Sequence, residues 1–98
     1  MLKEIKGKED FNKELEMTEK VLVDFNANWC GPCQMLKPLM EELSKDYKVL
    51  SINVDDNNEL ANEFGIRSIP SVILFENKKE VNRLVGLRSK DEYINLLK

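Results

Sequence analysis

Trp29-Cys30-Gly31-Pro32-Cys33 contains both cysteines of the 98-residue chain. Two thiols three positions apart, at the first turn of a helix, lie side by side on one face. Their spacing is compatible with the Cα separation a disulfide requires, so the pair can close and reopen without dismantling the fold. Cys30 then falls where unpaired backbone N–H groups and the positive helix end converge, and both favour thiolate over thiol. Pro32 fits the first turn, where its missing N–H costs nothing, and Gly31 lets another backbone approach closely. The arrangement suits attack on a disulfide followed by resolution of the mixed disulfide that forms.

Immediately before the motif, Val21-Leu22-Val23-Asp24-Phe25 is nearly continuous in apolar residues. That pattern predicts a strand covered on both faces, as in a helix-sandwiched sheet. After the motif a helix is expected from about Gly31 to Asp46, burying Leu36, Leu39, Met40 and Leu43, with a kink at Pro38. Residues 1–6 read as a short edge strand, with Leu2 and Ile5 as its apolar residues. Gly7 and Asp10 mark the entry to a first helix, in which Phe11 and Leu15 lie one turn apart.

Beyond the second helix, Val49 to Val54 reads as a third strand, and Asp55 to Phe64 contains a short helix stopped by Gly65. Val72-Ile73-Leu74-Phe75 is a fully apolar strand, which Asn77-Lys78-Lys79 turns back into an antiparallel partner from Val81 to Val85. Ser89 precedes a last helix with Asp91 and Glu92 in its first turn and Tyr93, Leu96 and Leu97 on one face. The order βαβαβαββα predicts a layered α/β domain with helices on both faces of one sheet.

The bulk numbers agree with one small soluble domain, 1–98, with a single core. Fifteen basic and eighteen acidic residues are interspersed, for a net charge of −3. No basic stripe argues for nucleic acid and no charge block for a tail. Met1-Leu2-Lys3-Glu4-Ile5-Lys6 is charged where a signal peptide needs an apolar run, and no segment approaches membrane-spanning length. A cytoplasmic, reducing setting is therefore expected, and two cysteines there have chemical rather than structural value.

The chain resembles a thioredoxin. The matching residues are Val23-Asp24-Phe25, Trp29 through Cys33, Pro38, Asp55, Gly65-Ile66-Arg67, Ile69-Pro70 and Gly86. They run through essentially the whole chain in the family's order and spacing. The resemblance implies the thioredoxin fold: a central mixed sheet of about five strands, with about four helices packed on both faces. It also implies a protein-disulfide reductase in which Cys30 is the nucleophile and Cys33 the resolving thiol. Against this stand a structural disulfide, or half of a zinc site. With no histidine and no further cysteine, closed zinc ligation needs carboxylates or a second chain.

Asp24 is a carboxylate inside an apolar strand, where desolvation raises its pKa and lets it hold a proton near neutrality. By resemblance it accepts and returns the proton of Cys33; the plainer alternative is an aspartate satisfied by a backbone N–H. Pro70 opens a buried strand, a place where a plain trans proline is tolerated. The family instead has a cis proline facing the dithiol, with the preceding residue, here Ile69, offering backbone pairing to an extended substrate. Trp29, Gly31, Pro32, Ile69, Pro70, Val85 and Gly86 would then surround the thiols as a shallow docking surface; each alone could be ordinary core or turn.

Three positions depart from the family pattern. Asn26 stands where an aromatic is usual, Ser51 where bacterial members commonly place a lysine beside the buried aspartate, and Lys78 where the hairpin turn usually has glycine. The first two bear on rate and redox potential, the third only on a turn. No bound cofactor or metal is expected. Electrons would come from a thioredoxin reductase, of NADPH/FAD or ferredoxin type, and go to clients such as peroxiredoxin or ribonucleotide reductase, with the protein working as a monomer. A dedicated oxidant or isomerase, and a scaffold subunit with dispensable thiols, are the competing functions.

Overall fold

The computed structural model describes residues 2–98, so the Met1 part of the expected first strand lies outside the described residues. Nine elements follow in order: β1 Leu2–Glu4, α1 Lys8–Met17, β2 Lys20–Asn26, α2 Gly31–Leu43, β3 Lys48–Asn53, α3 Asn58–Glu63, β4 Ser71–Glu76, β5 Lys79–Val85 and α4 Lys90–Leu97. They form one mixed sheet in the order β1-β3-β2-β4-β5. β3 runs parallel to both β1 and β2, while β4 runs antiparallel to β2 and β5. This is the five-stranded, four-helix architecture the resemblance implies.

The apolar run of β2 explains its central place. Val21, Leu22, Val23 and Phe25 are each 0% exposed, and burying such side chains stabilises by about 1.5–3 kcal/mol apiece. Alternation along the strand sends them to opposite faces. Val21, Val23 and Phe25 join Phe11 and Leu15 of α1 and Leu60 of α3 in one core. Leu22 joins Leu36, Met40 and Leu43 of α2 with Tyr93 and Leu97 of α4 in the other. Three aromatic rings pack edge to face in the first core, Phe11 against Phe75 at 5.6 Å and Phe64 against Phe75 at 5.3 Å, and Phe25 meets Phe64 at a tilt.

Local chemistry sets the element ends. Gly65 follows α3 with φ +62, the left-handed conformation of a helix stop. Ser89 caps α4 in a reciprocal capping box with Glu92. Asn77 and Lys78 form the two-residue hairpin turn with φ 51 and 71, so Lys78 occupies a conformation that glycine adopts more easily.

Two expectations for α2 need correction. It ends at Leu43 rather than Asp46: the Ser44 hydroxyl donates to the Glu41 carbonyl at 2.6 Å, and the amides of Lys45 and Asp46 turn to carbonyls three residues back. Leu39 is only half-buried at the rim of its core. The helix is continuous through Pro38. The third strand also starts one residue earlier and stops at Asn53, leaving Val54 beyond its end.

Candidate dithiol site

β2 delivers the site to its own end. Past Asn26 the chain turns through Ala27-Asn28-Trp29, and Cys30 becomes the N-cap of α2 with Pro32 in the first turn. Cys30 and Cys33 form a disulfide with Cα atoms 5.2 Å apart, inside the range such a bond requires. The backbone N–H of Cys33 donates to the Cys30 sulfur at 3.2 Å. One of the helix's otherwise unpaired amides thereby points at the reacting atom. The Ile69 carbonyl oxygen lies 3.8 Å from the same sulfur. A disulfide sulfur has no proton to donate, so this is a contact in the oxidised state.

Both cysteines are buried, in a small cluster with Ala27, Val54 and Ile69. Among the described residues no group of histidine, cysteine, aspartate or glutamate could hold a metal ion.

The Ile69–Pro70 bond is cis, and Gly86 N–H donates to the Pro70 carbonyl at 2.8 Å. This bond ties the end of β5 to the proline loop, bringing Val85 and Gly86 beside it. Trp29, Gly31, Pro32 and Val85 are exposed, while Ile69 and Gly86 are half-buried. Pro70 departs from the docking-surface expectation, because it is buried at the foot of β4 and presents no open face. Trp29 is 72% exposed, and its indole N–H donates to Asp55 Oδ2 at 2.9 Å. Sequence reading noted Asp55 only as a family match; the structure makes it the partner that holds the tryptophan. Met35, two residues past Cys33, is likewise exposed, at 70%.

Asp24 lies in the middle of the sheet, opposite Ser51 of β3 and Val72 of β4. It is only 5% exposed, and burial pushes its carboxyl from 3.8 up to about 7, opposed by a hydrogen bond from Asn26. No backbone N–H satisfies it: Oδ1 is buried without a partner, and Oδ2 receives Asn26 Nδ2 at 3.4 Å. An aspartate satisfied by a backbone N–H is therefore not what the structure holds here. Asp24 and Cys33 line one cleft of about 300 Å³ together with Asn26, Asn28, Gln34, Lys37 and Ser51. Lys37, Asn28 and Gln34 were not anticipated, because nothing in their local pattern marks them as facing a cleft.

A dithiol at a helix N-terminus, on a five-stranded mixed sheet and beside a cis proline, defines a protein-disulfide oxidoreductase. The comparisons make the class specific. The thioredoxin family model matches residues 3–98. A thioredoxin of Mycoplasmoides gallisepticum is 42% identical over 100 residues, spanning 99% of this chain and 100% of the relative. One from Rickettsia bellii is 51% identical over 78 residues, 76% of this chain and 74% of the relative. Among solved structures, a mutant thioredoxin from Halobacterium salinarum superposes with TM-score 0.94 at 36% identity, covering 98% of this chain and 87% of that one. Reduced Schistosoma mansoni thioredoxin pre-protein gives 0.91 at 34% identity, covering 98% and 94%. The chain belongs to the thioredoxin family, and its Cys30–Cys33 pair carries out thiol–disulfide exchange with client proteins.

Proposed function

We propose that this chain is a general protein-disulfide reductase in which Cys30 attacks, Cys33 resolves and Asp24 handles the proton. The Cys30 thiolate attacks a client disulfide, forming a mixed disulfide and expelling the client's other sulfur as a thiolate. Cys33 gives its proton to Asp24 and attacks the Cys30 sulfur. The bond from Cys30 to the client breaks, the electron pair leaves with the client sulfur, and the two client thiolates take up protons, one returned by Asp24 and one from solvent. The client gains two thiols and the pair is left as the Cys30–Cys33 disulfide.

The observation that carries this reading is the placement of Cys30 at the cap of α2, with the Cys33 amide aimed at its sulfur. An anionic sulfur is favoured there as nucleophile and as leaving group. Trp29, Gly31, Pro32, Ile69, Val85 and Gly86 form the client surface, with the Ile69 backbone pairing an extended chain and Pro70 shaping that loop. Gly31 is exposed at the start of α2, and a Cβ there would meet nothing within 4 Å.

No cofactor is bound in this cycle. Electrons return from a thioredoxin reductase, and peroxiredoxin or ribonucleotide reductase are clients of the expected kind. The setting is the cytoplasm and the protein acts as a monomer; among the described residues no helix is long and apolar enough to cross a membrane. Catalysed reduction of insulin disulfides by dithiothreitol tests the reading. Turnover lost in Cys30→Ser is the expected result, and no turnover by the wild type overturns it.

A further inference from the structure

Two of the three departures from the family pattern, Asn26 and Ser51, touch each other. Asn26 Nδ2 donates to Ser51 Oγ at 2.9 Å, to the Asp24 backbone carbonyl at 3.1 Å and, at 3.4 Å, to Asp24 Oδ2. An amide nitrogen carries two protons, so three acceptors cannot all be served in full. The bond to Ser51 takes one proton. The other is shared between a neutral carbonyl and the carboxyl oxygen. A charged acceptor makes the stronger bond, so ionisation of Asp24 draws the shared proton toward Oδ2.

We propose that Asn26, anchored on Ser51, is a positioning residue for the resolving step, holding Asp24 Oδ2 so that the unpartnered Oδ1 is left to take the Cys33 proton. The inference rests on the reductase reading above. It assigns to a neutral dipole the part that a neighbouring cation would otherwise play: favouring the ionised carboxylate, which can then take the Cys33 proton. In the step itself the Cys33 S–H bond breaks and an O–H bond forms at Oδ1. The sulfur's electron pair forms the new bond to Cys30, and the client thiolate leaves with the pair of the broken bond.

The groups facing Asp24 across this cleft are few. Glu4 belongs to β1, and Cys33 and Lys37 to α2. From α4, the Tyr93 hydroxyl senses the aspartate's charge, but it is engaged with the Gly86 carbonyl and the Arg88 amide. β3 contributes only the neutral Ser51, and β4 the apolar Val72.

Carbon-detected NMR titration of the Asp24 carboxyl in the reduced protein tests the assignment in the wild type, Asn26→Leu, Asn26→Ala and Asn26→Gln. The midpoint should rise by about half a pH unit or more in the Leu and Ala variants. The Gln variant, which keeps the amide, should stay near the wild type. The pH profile for resolution of a pre-formed mixed disulfide should move with the midpoint. Midpoints unmoved in both Leu and Ala variants, or a Gln variant displaced as far as the Leu one, would overturn the role. The two truncations guard against one failing to fold, and thermal melts report any purely structural loss. The titration needs no turnover. A failed positioning role therefore leaves the midpoints of the variants unmoved while the wild type still reduces insulin, whereas a failed reductase reading leaves the wild type unable to reduce insulin.

Discussion

The backbone N–H of Cys33 donates to the sulfur of Cys30, so the residue assigned to resolve the mixed disulfide also helps to polarise the residue assigned to form it. The two contributions separate by substitution. Cys33→Ser keeps the amide, and with it the capped, reactive Cys30 sulfur, but removes the resolving thiol. Mixed disulfides with client proteins should accumulate on Cys33→Ser and be absent from Cys30→Ser, as read on non-reducing gels. Accumulation on Cys30→Ser instead would reverse the two assignments.

Asp24 ties stability to pH with a sign opposite to that of a salt-bridged carboxylate. Its folded value is raised by burial to about 7 from 3.8. Protonated, the side chain costs nothing extra; as pH climbs past the unfolded value, ionisation destabilises the fold until the folded value is passed. At about 1.4 kcal/mol per pH unit, the loss reaches roughly 4 kcal/mol at most. Asp24→Asn should match the wild type in stability near pH 3, exceed it near pH 8, and release mixed disulfides more slowly. Denaturant melts across pH check the first part. A variant less stable than wild type at alkaline pH yet fully active would remove Asp24 from the cycle.

Trp29 is the only tryptophan, directly precedes Cys30, and is held by Asp55 rather than by the core. A neighbouring disulfide quenches an indole more than a dithiol does, so emission should rise clearly on reduction while far-ultraviolet circular dichroism stays constant. A flat emission across a full thiol titration would take Trp29 away from the reacting pair and off the client surface.

Lys78 sits at φ 71 in the hairpin turn, a conformation that costs an L-residue about 1–2 kcal/mol. Lys78→Gly should stabilise the fold by roughly 1 kcal/mol in a denaturant melt, because the gain outweighs glycine's extra chain entropy in the unfolded state. Insulin reduction should be unchanged, since the turn lies at the end of β4 away from the thiols.

Periodicity carried most of the fold, for a physical reason: β2 and β4 are buried on both faces, and their inner stretches are apolar except for Asp24 in β2 and Ser71 at the start of β4. The oddity of Asp24 in the sequence is its desolvation in the structure. What could not be read was pairwise. Glu14 is a carboxylate in an amphipathic helix, and only the fold brings Lys3 and Lys48 to it from two different strands. The same holds for Lys37, which reaches the cleft through the rotation of α2, and for the Trp29–Asp55 bond, whose partners are 26 positions apart. Asn26 and Ser51 were each visible as departures. That they are partners depends on the parallel register of β2 and β3.

The two rims of the sheet have a bearing on how this protein survives its own encounters. Among the described residues, β1 offers three at one rim. At the other, β5 carries Lys79, Glu80 and Arg83, and a bulge opposite Leu74 and Phe75 leaves Val81 outside the ladder. Short, charged and kinked rims are poor templates for a further strand. A client with extended segments therefore meets short or kinked rims rather than a long flat ladder to extend.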